Sequence, residues 1–569
     1  MARTPVVFIP GLTGSFNLPI LLDWRPPGLG GWSFPPFIDY GKGFVAAFER
    51  AGYIRDRDLF VAFYDWRRSV KDTAEQYLRP WLQRARERSG AGKVILIGHS
   101  MGGLVARSYI QSAKYANDVE RLITIGTPHR GAAESYYAWG GGETRSDPTV
   151  QAVFRVYLWY LRHAHPFQTE LDPLRTMRTQ VPGVRDLLPI DGYLFNQGGP
   201  ELPRPPDTLQ ERNLVGELLN QPAAVESLIG RVPVTTLVGG GFPTISGITV
   251  GGPPIPPGAP PRFPDGVPVT DRVSNAGDGT VLTDNARVNH PQASALPPLP
   301  VSHGALPDHP AVLSALFAAL GEPAPVLGAP PMQEPQLVIM TASPVKMSVR
   351  TPAGAPMPAE GVLGAPLEAA PRRRSRRIRA RDHGHRGKHL NIVVVPNPPP
   401  GAYEVHLDGT ATGDFALGAL IIGAESPAIL GGGDVPVEPQ PTATPIVTVH
   451  GRVAAASELF YQVVCHSTSA PPEVHFDGVE TARNAVARLR SALGEGGGVL
   501  GGGLELLGGS AEAALSGDDA ALDQTAATLD STGGAGLNQM LCTLAERDIG
   551  SRDEALAEAL ITQLQALRS

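Results

Sequence analysis

Five residues constrain this sequence more than any others. Gly98-x-Ser100-x-Gly102 follows a continuous apolar run, Val94–Ile97, and precedes a helical stretch, Leu104–Tyr115. A serine carried by a strand and followed at once by a helix must sit on a very sharp turn. The positions two before and two after it then need almost no side chain. Such a turn lifts the hydroxyl above the sheet edge and sets it at a helix N-terminus, whose dipole favours a developing anion. The expected chemistry is that of a serine nucleophile.

The surrounding pattern suits an α/β chain. Val6–Ile9, Leu59–Tyr64 and Leu122–Ile125 are apolar throughout rather than alternating, as strands buried on both faces of a parallel sheet must be. Ser69–Ser89 reads as an intervening helix. Asp72 and Glu75 lie early in it and Arg84, Arg86 and Arg88 late, matching the dipole. Pro80 predicts a kink or break. The rhythm stops over 132–230, where Thr149–Arg162 is amphipathic at helical spacing. It returns at Val232–Val238 and Thr280–Leu282 and closes with a helix over His309–Leu320.

A serine hydroxyl needs a base, and in this architecture the chain order is Ser, then an acid, then His. Asp278, in the Gly-flanked turn Ala276–Val281, is the candidate acid, with Asp271 and Asp284 as rivals. His303, in Val301-Ser-His-Gly-Ala, is the candidate base. His309 is its rival, although it reads as the start of the last helix. His99 is expected to pack or hydrogen-bond beneath the turn. Acyl transfer also needs donors for the oxyanion. The Met101 N–H and the Leu12 N–H, the latter in the loop after Val6–Ile9, are the candidates.

Aromatic residues form only 6% of the chain, yet Tyr136, Tyr137, Trp139, Tyr157, Trp159 and Tyr160 cluster within 132–230. This predicts a cap that lines an acyl pocket, with ordinary core helices as the alternative. Tyr136, Trp139 and Trp159 are therefore expected to bind substrate, together with Trp66 at the end of an early strand. For Trp66 the competing reading is internal packing beside an Asp65–Arg67 pair.

Gly 66 and Pro 57 make up more than a fifth of 569 residues, against roughly 12% in average usage. Past residue 325 the excess marks boundaries. A catalytic domain is expected over 1–324 with a cap insertion at about 132–230, then a linker (325–335) and a β-sandwich-like module (336–425). A second linker (426–445) and a mainly helical C-terminal region (446–569) follow. The basic run Arg372–Arg379 allows transient contact with a membrane or lipid surface, but a solvated loop is the simpler reading. His383, His385 and His389 lack the partners of a metal site, and the glycine run 494–509 lacks the Gly-Lys-Ser/Thr ending of a phosphate loop. No cofactor or metal is expected. The net charge of −7 argues against nucleic acid as a partner. Cys465 and Cys542 cannot build a disulfide framework, though they could pair once. No run reaches a membrane span and no three-part signal peptide is visible, so a cytoplasmic location is the expectation, secretion requiring a different start.

Several stretches carry a family resemblance. Ala51–Phe60 leads into Phe63-Tyr-Asp-Trp-Arg67, ahead of the serine turn. Ile125-Gly-Thr-Pro-His-Arg-Gly131, Pro182-Gly-Val-Arg-Asp-Leu-Leu-Pro189 and Gly277-Asp-Gly-Thr-Val281 follow in order. Over about residues 5–320 the chain resembles the lecithin:cholesterol acyltransferase family of α/β-hydrolases. That resemblance implies an α/β-hydrolase fold, a Ser100–Asp278–His303 triad and action on ester bonds, usually of lipids, by hydrolysis or acyl transfer. Nothing beyond residue 325 matches. A hydrolase-fold scaffold that binds a partner, or an amidase or peptidase using the same triad, are the alternatives.

Overall fold

The structure is a computed structural model. It describes residues 3–143, 154–159, 173–342 and 345–476, except 18–19, 22–27, 37, 39, 253–261, 329–333, 358–361, 367–388, 412, 426–439, 444–445, 454–457 and 468–469. The ends of the predicted helix Thr149–Arg162, the basic run, His383, His385, the glycine run 494–509, Cys542 and the helical segments beyond 481 lie outside the described residues. The chain divides into two compact units, one built mainly on residues up to Glu334 and one starting at Pro335.

The first unit is organised by a six-stranded sheet in the order β2-β1-β3-β4-β6-β9. Its strands are β1 (Val6–Ile9), β2 (Leu59–Val61), β3 (Val94–His99), β4 (Val119–Ile125), β6 (Val234–Leu237) and β9 (Ser294–Ala295). Every pairing in it is parallel. The continuous apolar runs are explained by helices on both faces, since all four β1 side chains are buried. On one face Val6, Phe8, Ile95, Ile97 and Ile123 pack with the helices α1 (Lys42–Arg50) and Pro310–Leu320. Phe8 stacks on Phe44 at 4.1 Å between ring centroids, and Phe48 meets Phe317 at 4.8 Å. A smaller sheet, β5 (Leu194–Asn196), β7 (Thr244–Gly251) and β8 (Val267–Ser274), stands apart in the order β5-β7-β8.

The helix expected over Ser69–Ser89 is interrupted in a particular way. A turn at Val70–Thr73 passes into a π-helical segment, Ala74–Leu78, and then into α2 (Arg79–Ser89). Pro80 falls in the first turn of α2, where its missing N–H is tolerated, and the Arg79 N–H reaches back to the Ala74 carbonyl. The segment Thr280–Leu282 is not the strand its apolar pair suggests. The Asp278 N–H donates to the Val281 carbonyl at 3.1 Å and closes a turn there.

The second unit holds two antiparallel sheets. In one, Gln336–Ala342 lies between His389–Pro396 and Gly413–Glu425, with Val362–Pro366 and Val447–Val453 outside them. The other pairs Val345–Arg350, Gly401–Gly409, Glu458–Cys465 and Glu473–Phe476. Both sheets feed one apolar core that includes Ile339, Val393, Leu417, Val405 and Tyr461. The strands after residue 446 therefore complete these sheets rather than opening a separate region. Val345–Arg350 is buried at every second residue, the alternation of a strand with one face on the core. Cys465 is buried as a free thiol.

Asp186 ties the helical stretch at Val70 to the 182–189 loop. Its carboxylate accepts from the Ser69 hydroxyl and the Val70 N–H, both at 2.8 Å. Burial pushes this carboxyl up to about 6, against the lowering effect of those two donors. Its folded-state value stands above the unfolded one, so its contribution to stability is full below about pH 4 and is lost as pH rises through about 6. In Asp186→Asn that dependence disappears while an acceptor oxygen remains. Thermal unfolding of the two proteins from pH 4 to pH 7 should shift in the variant's favour by up to about 3 kcal/mol. A difference that stays flat over this window would refute the assignment.

Candidate active site

Ser100 sits where β3 meets the helix α3 (Met101–Ile110), with φ +51° and ψ −127°. A non-glycine residue in that region is strained and persists only if its surroundings enforce it. The enforcement is visible. A Cβ on Gly102 would stand 2.2 Å from the Ile9 carbonyl oxygen, and one on Gly98 would stand 2.6 Å from the Gly103 nitrogen. The Ser100 N–H is held by the Ile125 carbonyl at 2.9 Å. The strained turn is thus pressed against the end of β1 and bonded to the end of β4.

The other candidates converge on the same edge. The Ser100 Oγ lies 2.9 Å from His303 Nε2, and His303 Nδ1 lies 2.8 Å from Asp278 Oδ2. A carboxylate can only accept, so Nδ1 carries the proton and Nε2 is left free to take one from the serine. All three side chains are at least nine-tenths buried. Asp278 Oδ1 accepts from the Thr280 and Val281 N–H groups at 3.0 and 2.7 Å. Its carbonyl accepts from the His303 N–H at 2.8 Å, joining acid and base loops through the main chain. The rivals are engaged elsewhere. Asp271 accepts from the Tyr137 hydroxyl, Asp284 is exposed beside Arg287, and His309 caps the helix Pro310–Leu320.

The loop after β1 is held from outside itself. The Gly11 N–H donates to the Tyr40 hydroxyl at 2.8 Å, and the Tyr64 hydroxyl donates to the Pro10 carbonyl at 2.8 Å. The Trp66 indole N–H donates to the Ser15 carbonyl at 2.9 Å. Leu12 lines the cleft that contains Ser100, and Met101 is the first residue of α3, so its N–H has no partner within the helix.

That cleft has about 850 Å³ of empty space, part of it open to solvent. Leu12, Ile38, Ala138, Phe154, Val184 and Leu187 make much of its wall apolar, and Glu134 brings a carboxylate to it. The four aromatic residues expected to touch substrate are not among the described residues that line it. Trp66 is fully buried and stacks edge-on with Phe154 and Tyr157. The Tyr136 hydroxyl donates to the Gly266 carbonyl, and the Trp139 indole N–H donates to Glu211. Trp159 is buried and is not among the residues that line the cleft. Polar ring groups that find protein acceptors fix these rings in the interior. Of the residues that do matter at this edge, Tyr64 lies in the Tyr-Asp-Trp-Arg stretch, whereas Tyr40 and Glu134 belong to no motif; Tyr40 stands just before the glycine start of α1.

His99 lies under the turn, as its position suggests. Burial, and then the adjacent His303, hold its imidazole well below the ordinary range, so it is neutral. Asp65 and Arg67 form a pair with both side chains fully buried, bonded Nε to Oδ1 at 2.7 Å and Nη2 to Oδ2 at 2.8 Å. The guanidinium also donates to the Ile20 and Leu21 carbonyls and to the Tyr157 hydroxyl. Burial alone would lower Arg67, but the Asp65 carboxylate outweighs it and holds the group above its usual range. Among the described residues no group of His, Cys, Asp and Glu could hold a metal ion, and no helix is long and apolar enough to cross a membrane.

Residues 40–156 match the family described as lecithin:cholesterol acyltransferase. The dog (Canis lupus familiaris) protein named lysosomal phospholipase A and acyltransferase is 27% identical over 145 residues, 23% of this chain and 35% of its own. The Arabidopsis thaliana protein named phospholipase A(1) LCAT3 is 39% identical over 84 residues, 14% of this chain and 19% of its own. This chain thus spans about a third or less of these curated relatives. Among solved structures, the propeptide form of the Bacillus licheniformis lipase BlEst2 aligns over 84% of this chain and 96% of its own, at 12% identity and a TM-score of 0.29.

Removing the Arg67 side chain should leave the buried Asp65 with Arg68, 3.2 Å away, and the residue-67 N–H as its remaining partners among the described residues. Arg67→Met should cost about 3–5 kcal/mol in urea denaturation, with part regained in the Asp65→Asn/Arg67→Met pair. A loss of well under about 1 kcal/mol, as for a surface pair, would show that the buried pair anchors nothing.

Proposed function

We propose that this chain, whose residues 40–156 match the lecithin:cholesterol acyltransferase family, is a serine-dependent ester hydrolase or O-acyltransferase acting on lipid-like acyl esters. One observation carries the reading. The Ser100 hydroxyl is within hydrogen-bond reach of a histidine whose other nitrogen is bonded to a buried carboxylate, at a largely apolar cleft. In this reading Ser100 Oγ attacks the ester carbonyl while its proton passes to His303 Nε2. Asp278 keeps the proton on Nδ1 and stabilises the imidazolium that forms. The tetrahedral oxyanion is held by the N–H groups of Leu12 and Met101. Removing one such donor typically costs about 3–4 kcal/mol of transition-state stabilisation. Collapse expels the alcohol, which takes its proton from His303. An acyl-enzyme on Ser100 remains, to be resolved by water or by a second alcohol activated by the same histidine.

The same reading makes the first unit an α/β-hydrolase domain. Its 132–230 insertion is a cap that lends Ala132, Glu134, Ala138, Phe154, Val184 and Leu187 to the cleft. An apolar wall of this kind suits an acyl chain and excludes water from the acyl-enzyme. The second unit reads as a β-sandwich-like module.

Ser100→Ala should lower kcat on a short-chain nitrophenyl ester by about 10⁶-fold and abolish labelling by a fluorophosphonate probe. Retained turnover would remove Ser100 from the mechanism. A panel of esters of increasing acyl length, with and without an added long-chain alcohol, separates the two outcomes of the acyl-enzyme. New acyl-alcohol product marks a transferase, and free acid alone a hydrolase.

A further inference from the structure

A buried hydrogen-bonded chain runs beneath the serine turn from the loop after β1 to the base. The Gly11 N–H meets the Tyr40 hydroxyl at 2.8 Å. The Tyr40 hydroxyl meets His99 Nδ1 at 2.8 Å. His99 Nε2 meets the His303 carbonyl oxygen at 3.1 Å. The carbonyl end and a neutral His99, which carries a single ring proton, together fix the direction of every bond between the two ends. An amide N–H can only donate and a carbonyl oxygen can only accept. Tyr40 therefore accepts from Gly11 and donates to His99 Nδ1, and the His99 Nε2–H donates to His303. The opposite tautomer would aim a bare nitrogen lone pair at the His303 carbonyl and leave the Tyr40 proton with no acceptor.

We propose that Tyr40 and His99 are positioning residues that lock the loop carrying the Leu12 N–H to the main chain of His303, so that oxyanion donor and base keep one geometry. Three further features agree. Thr13, one residue past Leu12, has φ +62°, a strained conformation that needs outside support. The Gly11 amide is engaged by Tyr40, which leaves the next amide, Leu12, for the oxyanion. The chain is shielded from water, Tyr40 and His99 both being buried although each borders the cleft, so the bonds keep a defined direction. Neither residue touches the reacting atoms. The Tyr40 ring is seated independently of its hydroxyl, edge-on to Phe34 and against Gly14. Tyr40→Phe thus removes the link with little change in packing.

This inference rests on the serine-ester reading above, and the experiment separates the two. Fluorophosphonate labelling and ester turnover are first measured on the full-length wild-type chain. A protein that neither labels nor turns over fails the serine-ester reading, and the relay falls with it. With a reactive wild type, Tyr40→Phe, His99→Asn and the double variant are compared. The expected result for each single variant is a fall in kcat of about 10–100-fold, below the loss of an oxyanion donor itself, with KM within about twofold. Affinity for a trifluoromethyl ketone of matching acyl length, which binds as a tetrahedral oxyanion, should fall by the same factor as kcat/KM. The double variant should be no worse than the poorer single one, because the link acts as a unit. Wild-type kcat and ketone affinity in Tyr40→Phe would overturn the proposal, as would losses that multiply in the double variant. So would losses confined to KM. Should Tyr40→Phe fail to fold by circular dichroism, His99→Asn is read in its place: reduced kcat and ketone affinity support the link, and wild-type values overturn it.

Discussion

The first unit depends on one close approach, the backbone of Gly102 against the carbonyls at the end of β1. A methyl group there would sit 2.2 Å from the Ile9 oxygen and 2.5 Å from the Pro10 oxygen. That contact sets how near the serine turn stands to the loop after β1. It therefore sets how near the Ser100 hydroxyl at the end of one strand can stand to the amides of the loop after its neighbour. Parallel pairing of β1 with β3, in register from Val6 with Ile95 to Ile9 with Gly98, brings both strand ends to the same edge. The crevice at the carboxyl ends of parallel strands is where ligands bind in open α/β sheets.

A sheet edge alone does not place loops to within tenths of an ångström. Here that is done by side chains arriving from far along the chain to bond loop backbone. Tyr40, Tyr64 and Trp66 bond Gly11, Pro10 and Ser15. Arg67 bonds Ile20 and Leu21, and its own carbonyl accepts from the Gly183 N–H. Asp308 accepts from the Gly41 and Phe44 N–H groups at 2.6 and 2.7 Å, capping an α1 that has no capping side chain of its own. The Tyr-Asp-Trp-Arg stretch in this light brackets the loops at the cleft.

This division explains what was legible in the sequence. The serine turn could be read because its sterics act within five residues, and Gly98 and Gly102 have no substitute there. Asp278 and His303 stood out as candidates because each sits in a glycine-bearing turn in the Ser, acid, His order expected of this architecture, and their side chains do meet Ser100. The apolar runs showed the parallel sheet because burial on both faces leaves no alternation. What could not be read were bonds whose partners are far apart. Nothing around Tyr40 announces that its hydroxyl reaches Gly11 and His99, 29 and 59 residues away. The aromatic cluster misled for a related reason. Composition reveals that rings are concentrated, but whether a ring faces a cleft depends on where its N–H or O–H finds an acceptor. The strand Gly413–Glu425 is hard to read because its small and glycine residues blur the alternation.

The buried polar groups around the cleft call for a reason other than stability. The Asp65–Arg67 attraction by itself adds little net stability, since the attraction within a buried ion pair seldom exceeds the cost of its desolvation. Apolar contacts are non-directional and tolerate sliding by fractions of an ångström. A guanidinium fork or a tyrosine hydroxyl bonded at both ends does not, because a displaced partner leaves a buried donor or acceptor unmet at about 1–3 kcal/mol. That penalty acts as a steep wall around one loop position. A serine turn already strained at Ser100, next to a loop strained at Thr13, needs such walls on both sides. Otherwise the relaxed geometry of either would draw the Leu12 amide away from the Ser100 hydroxyl. At this edge of the molecule polar burial fixes position, and the apolar sheet beneath it supplies the stability that offsets the strain.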